Sequence, residues 1–284
     1  MGRKWKMKNS SLAKILLSCL LCSLIVVSAC CFSCFPSAKY EKTVRLSQPL
    51  APGSVFAAQT HNGSITVNGF DIADCNITAT IVAWAQSEKE AQRIVEESKI
   101  KLETVGKTLT VKLEKPILGM NQSVSVDFDV TVPKSTELQL NTHNGTVDIT
   151  NITANIDAAS HNGEVNASKV SGSTKLITHN GSITCMEISG DIELRSHNGS
   201  IKAIYSESAS NICDVSIITH NGNVDFKAPP NFSSKVEVST HNGSIKTDLP
   251  ITVTGEVSKN LSGTIGTGQG MLHLETHNGS IRIR

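Results

Sequence analysis

Eight of the nine histidines fall in one tripeptide, His-Asn-Gly: His61, His143, His161, His179, His197, His220, His241 and His277. Neutral imidazole is a ligand for zinc, copper and nickel. If the copies stack, His143, His161, His179 and His197 would offer nitrogens roughly 5 Å apart, close to the spacing of paired strands. That would be a candidate metal site. The competing reading is a corner residue whose ring stacks on its neighbours. Zinc cages usually mix His with Cys or carboxylate, so a uniform one-residue column argues for the second reading and no cofactor is expected. Protonated rings at that spacing would repel one another by roughly 0.8 kcal/mol in water, or about 3 kcal/mol at an effective dielectric near 20. No Gly-x-Ser-x-Gly, His-Glu-x-x-His or phosphate-binding loop appears. The outward positions flanking the tripeptide, each directly after an Ile or Val, are scattered in type, Asp148, Asn166, Lys202, Asp225, Lys246 and Arg282, and no carboxylate pair repeats at a spacing suited to acid–base work.

The elements that must carry these histidines follow from the repeat. From His143 the steps are 18, 18, 18, 23, 21 and 36 residues. A fixed period near 20 is the sequence mark of a solenoid. The last step is twice 18, which predicts a rung near residue 260 that has lost its tripeptide, with 260–265 as its remnant. The aligned unit is aliphatic-x-Ser/Thr-His-Asn-Gly-x-Ile/Val-x-apolar. Period-two alternation on both sides of a polar break reads as strand, corner, strand. Asn tolerates the left-handed region and Gly enters it freely, so Asn144-Gly145, Asn162-Gly163, Asn180-Gly181 and Asn198-Gly199 are expected as structural corners on backbone grounds. A second break follows in Val170-Ser171-Gly172 and Ile188-Ser189-Gly190. Two strands and two corners fill 18 residues, so the expected fold is all-β, a parallel β-solenoid of two-strand rungs, with a stack of antiparallel hairpins as the alternative.

Between His61 and His143 the texture changes. Residues 71–140 are expected to be a strand–helix–strand insert: a strand over 75–84, a helix opened by the capping box Ser87-Glu88-Lys89-Glu90, strands over 100–103 and 109–113, and a strand over 124–132 ended by Pro133.

The N-terminus predicts export. Arg3, Lys4, Lys6, Lys8 and Lys14 precede an apolar run from Ile15 to Ala29. Val27-Ser28-Ala29-Cys30 reads as a lipoprotein signal with Cys30 as the lipidated residue. An uncleaved transmembrane anchor reaching Phe35 and plain secretion are the alternatives. Residues 1–35 are thus leader or anchor, 36–45 linker and 46–284 the solenoid domain. Five of the 26 basic residues belong to the leader, which leaves the exported part near −4 against 25 acids. That balance excludes nucleic acid as a partner and does not favour an anionic lipid surface. Cys75, Cys185 and Cys213 are expected as buried free thiols, with one disulfide, Cys185–Cys213, as the alternative.

The units Gly63–Val67, Ser87–Ala91 and Val130–Pro133, followed by Leu138-Gln139-Leu140 and stacked Asn-Gly-x-Ile/Val, carry a resemblance. Over roughly residues 46–284 the chain resembles the bacterial putative-adhesin family of unknown function, cell-envelope β-solenoid proteins. The resemblance implies the fold and an envelope location. It supplies no catalytic residues. The expectation is a non-catalytic, membrane-anchored solenoid in adhesion or surface assembly, with membrane, envelope proteins or glycans as partners and self-association through exposed end strands. An envelope-stress accessory protein and a carbohydrate-active β-helix enzyme are the alternatives. Arg282 and Arg284 in the closing strand are expected to guard that exposed edge.

Overall fold

The structure, a computed structural model, describes residues 38–253 and 259–284. The lipidation candidate Cys30 and the apolar leader lie outside the described residues. Alternating sequences give strands wherever one face can be buried, and here they form eight rungs, each one strand, a His-Asn-Gly corner and a second strand. The first four pairs are β2 (Val55–Asn62) with β3 (Ile65–Phe70), β8 (Glu137–Asn144) with β9 (Val147–Ile152), β10 (Ile156–Asn162) with β11 (Val165–Val170), and β12 (Thr174–Asn180) with β13 (Ile183–Ile188). They continue as β14 (Ile192–Asn198) with β15 (Ile201–Tyr205), β16 (Asp214–Asn221) with β17 (Val224–Lys227), β18 (Ser234–Asn242) with β19 (Ile245–Thr247), and β22 (Gly270–Asn278) with β23 (Ile281–Ile283). Equivalent residues pair in parallel, Asn144 with Asn162, Asn162 with Asn180 and Asn180 with Asn198. The parallel solenoid is therefore the fold, and eight rungs at the usual strand spacing make a stack about 40 Å long.

Two sheets face each other across a thin core. Ile65, Val147, Val165, Ile183, Ile201 and Ile281 stack without exposure from one sheet, and Leu176, Leu194, Ile217 and Leu274 from the other. Each rung buries little by itself, so its stability comes from its neighbours. Cys75, Cys185 and Cys213 sit in this core as free thiols, and no disulfide joins them.

The insert caps the N-terminal end. β6 (Thr108–Glu114) adds in parallel to β2, and β7 (Ser123–Pro133) in parallel to β3, so the pair acts as an additional rung. Beyond them β5 (Lys99–Val105), β4 (Asp74–Ala85) and β1 (Ala38–Pro49) pair antiparallel, which ends the parallel register. Helix α1 (Glu88–Glu97) starts at Ser87, whose hydroxyl accepts the Glu90 amide at 3.3 Å, and buries Ala91, Ile94 and Val95 over β1 and β4. Residues 38–45, expected as linker, are the first part of β1, because alternate side chains Tyr40, Val44 and Leu46 pack against the core.

The C-terminal end departs from sequence order. β22 lies between β16 and β18, and β23 between β17 and β19. The spatial order of the last three histidines is therefore His220, His277, His241. Residues 260–265 are not the remnant of a parallel rung. They form β21 (Asn260–Ile265), antiparallel to β18, and with β20 (Thr252–Val253) they cap the sheet. The 36-residue step is the length of a detour out to this cap and back. Arg282 and Arg284 do not guard an edge. Their strand is interior, and Arg284 holds Asp225 through two nitrogens at 2.6–3.1 Å.

The close stacking makes a sharp prediction. A Cβ built on Gly181 would lie 2.0 Å from the Gly163 carbonyl oxygen, whereas one on Gly106 meets open space at φ +60°. Gly181→Ala should cost about 3 kcal/mol by urea denaturation, and Gly106→Ala about 1 kcal/mol.

Candidate functional site

The His-Asn-Gly corner is the most regular surface of the molecule. Three columns run along it. The outermost is histidine: consecutive rings stack at centroid distances of 4.6–4.9 Å with interplanar angles of 2–6°, from His61 through His143, His161, His179, His197, His220 and His277 to His241. All eight side chains are exposed. Water therefore screens them, and the lower of the two repulsion figures applies when they are charged.

Beside it runs an asparagine ladder. Asn144 Nδ2 donates to Asn62 Oδ1 at 2.8 Å, Asn162 to Asn144 at 2.8 Å, Asn180 to Asn162 at 2.7 Å and Asn198 to Asn180 at 2.8 Å. The ladder continues through Asn221, Asn278 and Asn242 at 2.7–2.8 Å. The third column is buried. The hydroxyls of Thr142, Ser160, Thr178 and Ser196 donate to the carbonyls of Gly63, Gly145, Gly163 and Gly181 of the preceding rung at 2.8–2.9 Å.

The backbone explanation expected for Asn144, Asn162, Asn180 and Asn198 does not hold. None of these asparagines has positive φ, and among the corner glycines only Gly63 and Gly145 do, at +126° and +158°. Gly145, Gly163, Gly181 and Gly199 are required because each Cβ would fall 1.9–2.1 Å from the carbonyl oxygen of the glycine below. Asn is required for its side-chain ladder. The left-handed residues lie at the opposite corner, at Asn151, Lys169 and Glu187, with φ of 55–59°. There the extra residue offsets the alternation, so that Ile152, Val170 and Ile188 turn inward.

The stack sets the metal chemistry of His143, His161, His179 and His197. A metal lies about 2.0–2.1 Å from nitrogen, in the plane of the ring. One ion cannot lie in the planes of two parallel rings at once, so chelation by neighbours would require a ring to turn out of the stack. Among the described residues, no three His, Cys, Asp or Glu side chains are gathered as a metal site.

One concavity adjoins these columns and another lies away from them. A cleft of about 420 Å³ opens where the histidine column begins, lined by His61, His143, Asn62, Lys112 and Lys115. A groove of about 490 Å³ lies on the same 12-stranded sheet, toward the opposite corner, against Glu193, Glu237 and His273. His273 faces Glu237 at 3.8 Å and Glu275 at 3.6 Å. Asp191 and Asp214 also line the groove, but each accepts a backbone amide, from Asp214 and Met271 at 2.9 and 3.0 Å. They act as corner residues. Nothing in the local sequence marks His273 as a partner of Glu237, because the two meet only through the out-of-order insertion of β22. Asp148, Asn166, Lys202, Asp225, Lys246 and Arg282 form one outward column of the first sheet and partly satisfy one another, as in the 2.9 Å bond from Asn166 to Asp148.

A family model described as Toastrack DUF4097 matches residues 120–284, more than half of the chain. The chain belongs to this family. The Toastrack match covers six of the seven asparagine ladder bonds in full and begins inside the N-terminal cap. No curated protein matches the chain in sequence. Among solved structures it is similar to a "putative cell adhesion protein" from Clostridium sporogenes at 12% identity, covering 85% of this chain and 99% of that one, with a TM-score of 0.33. It is also similar to a "putative adhesin" from Bacteroides fragilis, at 12% identity, 86% and 97% coverage and a TM-score of 0.30. A third, from Parabacteroides distasonis, gives 9% identity, 86% and 97% coverage and a TM-score of 0.34.

The columns are testable separately. Thr178→Val leaves the Gly163 carbonyl without its buried donor and should cost about 1–2 kcal/mol. Asn180→Ala breaks two exposed ladder bonds and should cost about 1 kcal/mol, while His179→Ala should cost less than either. Urea denaturation ranks the three. Burial pushes the Cys185 thiol up to about 12 from its ordinary 9.0. The unfolded thiol ionises first, so the stability tied to Cys185 is whole below pH 9 and lost as pH rises toward 12. The urea midpoint should fall between about pH 8.5 and 10.5, and fall less in Cys185→Ala.

Proposed function

We propose that the protein is an exported, membrane-anchored, non-catalytic solenoid that acts in adhesion or in cell-envelope and surface assembly. The observation that carries this reading is the continuity of the columns. Polar side chains along the corner are engaged with their own copies on neighbouring rungs, and in the 490 Å³ groove, where Ser216 lies beside His273, the serine makes no hydrogen bond to the imidazole. Such a surface offers the same contact many times along one line. That suits a repeating ligand or a second extended surface better than a single small substrate. The apolar segment Ile15–Ala29 behind five basic residues supports export, and Cys30 or an uncleaved span would supply the anchor. Among the described residues no helix is long and apolar enough to cross a membrane.

Screening the full chain in lipid vesicles against glycans and envelope proteins, metal-depleted and zinc-loaded side by side, tests the reading. Retention of a glycan or envelope surface without chemical change is expected, equally in both metal states. Release of cleaved sugar would contradict it in favour of a carbohydrate-active enzyme, and retention of no ligand would remove adhesion.

A further inference from the structure

The two most exposed large apolar side chains among the described residues are Ile117, 97% exposed, and Met120, 90% exposed. Both belong to the loop between β6 and β7. This loop is pinned. The Gly119 amide donates to Gln122 Oε1 at 2.6 Å, and Gln122 Nε2 donates to Glu90 Oε1 of α1 at 2.5 Å. Asn121 takes φ +59°, and Leu118 packs back onto the core. Ile117 and Met120 are thus held outward by a defined turn, with Lys115 at its base.

The position of this loop relative to the chain's entry gives it meaning. Lys39 pairs with Trp84, and Trp84 pairs with Ser123. Ala38, where the described chain begins, is therefore two strands from the start of β7, about 10 Å away. Ser123 directly follows the loop. The apolar segment Ile15–Ala29 and its continuation to Phe35 precede Ala38 by a few residues. The apolar loop and Ala38, which the apolar leader precedes in sequence, lie at the same end of the same sheet.

We propose that the 115–122 loop is a second membrane contact, which places Ile117 and Met120 in the outer boundary of the bilayer that holds the N-terminus. The inference rests on the anchor reading above. It adds an orientation: the N-terminal cap sits on the lipid, and the histidine column starts at the membrane surface and runs away from it. The contact is apolar, with Lys115 near the headgroups, so it does not need the net positive charge that the exported part lacks.

Tryptophan at the loop tests this. In the full chain carrying Trp5→Phe, one variant adds Ile117→Trp. A control adds Ile212→Trp, at a 44% exposed site several rungs away. Both are placed in phosphatidylcholine–phosphatidylglycerol vesicles with or without lipids brominated along the acyl chain. The emission added at 117 should be quenched at least about threefold more than that added at 212, since an interfacial contact sits within reach of the chains. Emission at 117 that bromine spares and aqueous iodide quenches overturns the inference and leaves the anchor intact. So does emission shielded from both quenchers, which would mean that protein covers the loop. A chain that does not sediment with vesicles overturns the anchor reading, and this inference with it.

Discussion

The structure depends on how closely one corner peptide can lie on the next. The Gly181 amide donates to the Asn198 carbonyl at 3.1 Å, and the Gly181 carbonyl receives the Ser196 hydroxyl at 2.9 Å. Both polar groups of a turning peptide are thereby satisfied by the rung above it, without water. An ordinary β-turn exposes such groups to solvent, and a corner that did so while buried would lose roughly 1–3 kcal/mol per group. The contact has no room for a Cβ, which fixes Gly. It needs a hydroxyl at a set distance, which fixes Ser or Thr. Once these corners stack, strand register follows, and with it the Ile and Val columns of the core.

This dependence explains how the two ends are built. The N-terminal cap keeps the corner contacts alive for one rung without the tripeptide. The Val126 carbonyl stands where a lower glycine carbonyl would be, 2.0 Å from a Cβ built on Gly63. Antiparallel β4 and β1 then end the stack. At the other end β22 and β23 enter between rungs already laid down. The corner chemistry does not register that the order is broken. Thr276 donates to Gly222 and Thr240 to Gly279, both at 2.8 Å, as in any other pair of rungs. The corner is a local code that any copy can join, and chain connectivity is secondary to it.

The same logic separates what the sequence reveals from what it conceals. The period, the alternation and the capping box each reflect an interaction between nearby or equivalent residues, so the rungs, the helix and the strands of the insert can be read directly. The place of β22 cannot. It is chosen among equivalent corners, and His277 carries the same tripeptide as His241. The detour through β21 has the apolar alternation of a rung without its tripeptide, so it resembles a degenerate copy. The left-handed positions were hidden for a different reason. Lys169 and Glu187 have no intrinsic preference for that region and are held in it by the burial of Val170 and Ile188 on the next residue. Within the candidate site, the histidine, asparagine and hydroxyl columns were visible as residue types. Their division of labour was not, because Asn-Gly more often signals backbone conformation than a side-chain ladder. The loop that exposes Ile117 and Met120 became significant only through the pairing of Trp84 with both Lys39 and Ser123.

Histidine is the one column whose absence the fold would tolerate, since its rings are exposed and donate nothing to the rung contacts. It lines the stack from the N-terminal cap outward and is the surface most available for recognition. The central claim lies one layer deeper, in the corner peptides, and native-state hydrogen exchange reads them directly. The amides of Gly163, Gly181 and Gly199 should exchange within about tenfold of the slowest strand amides of β12 and β14, as members of one cooperative unit. If they exchange as fast as the open turn at Gly106 while the strands stay protected, the corners are not what holds the rungs together, and the account is wrong.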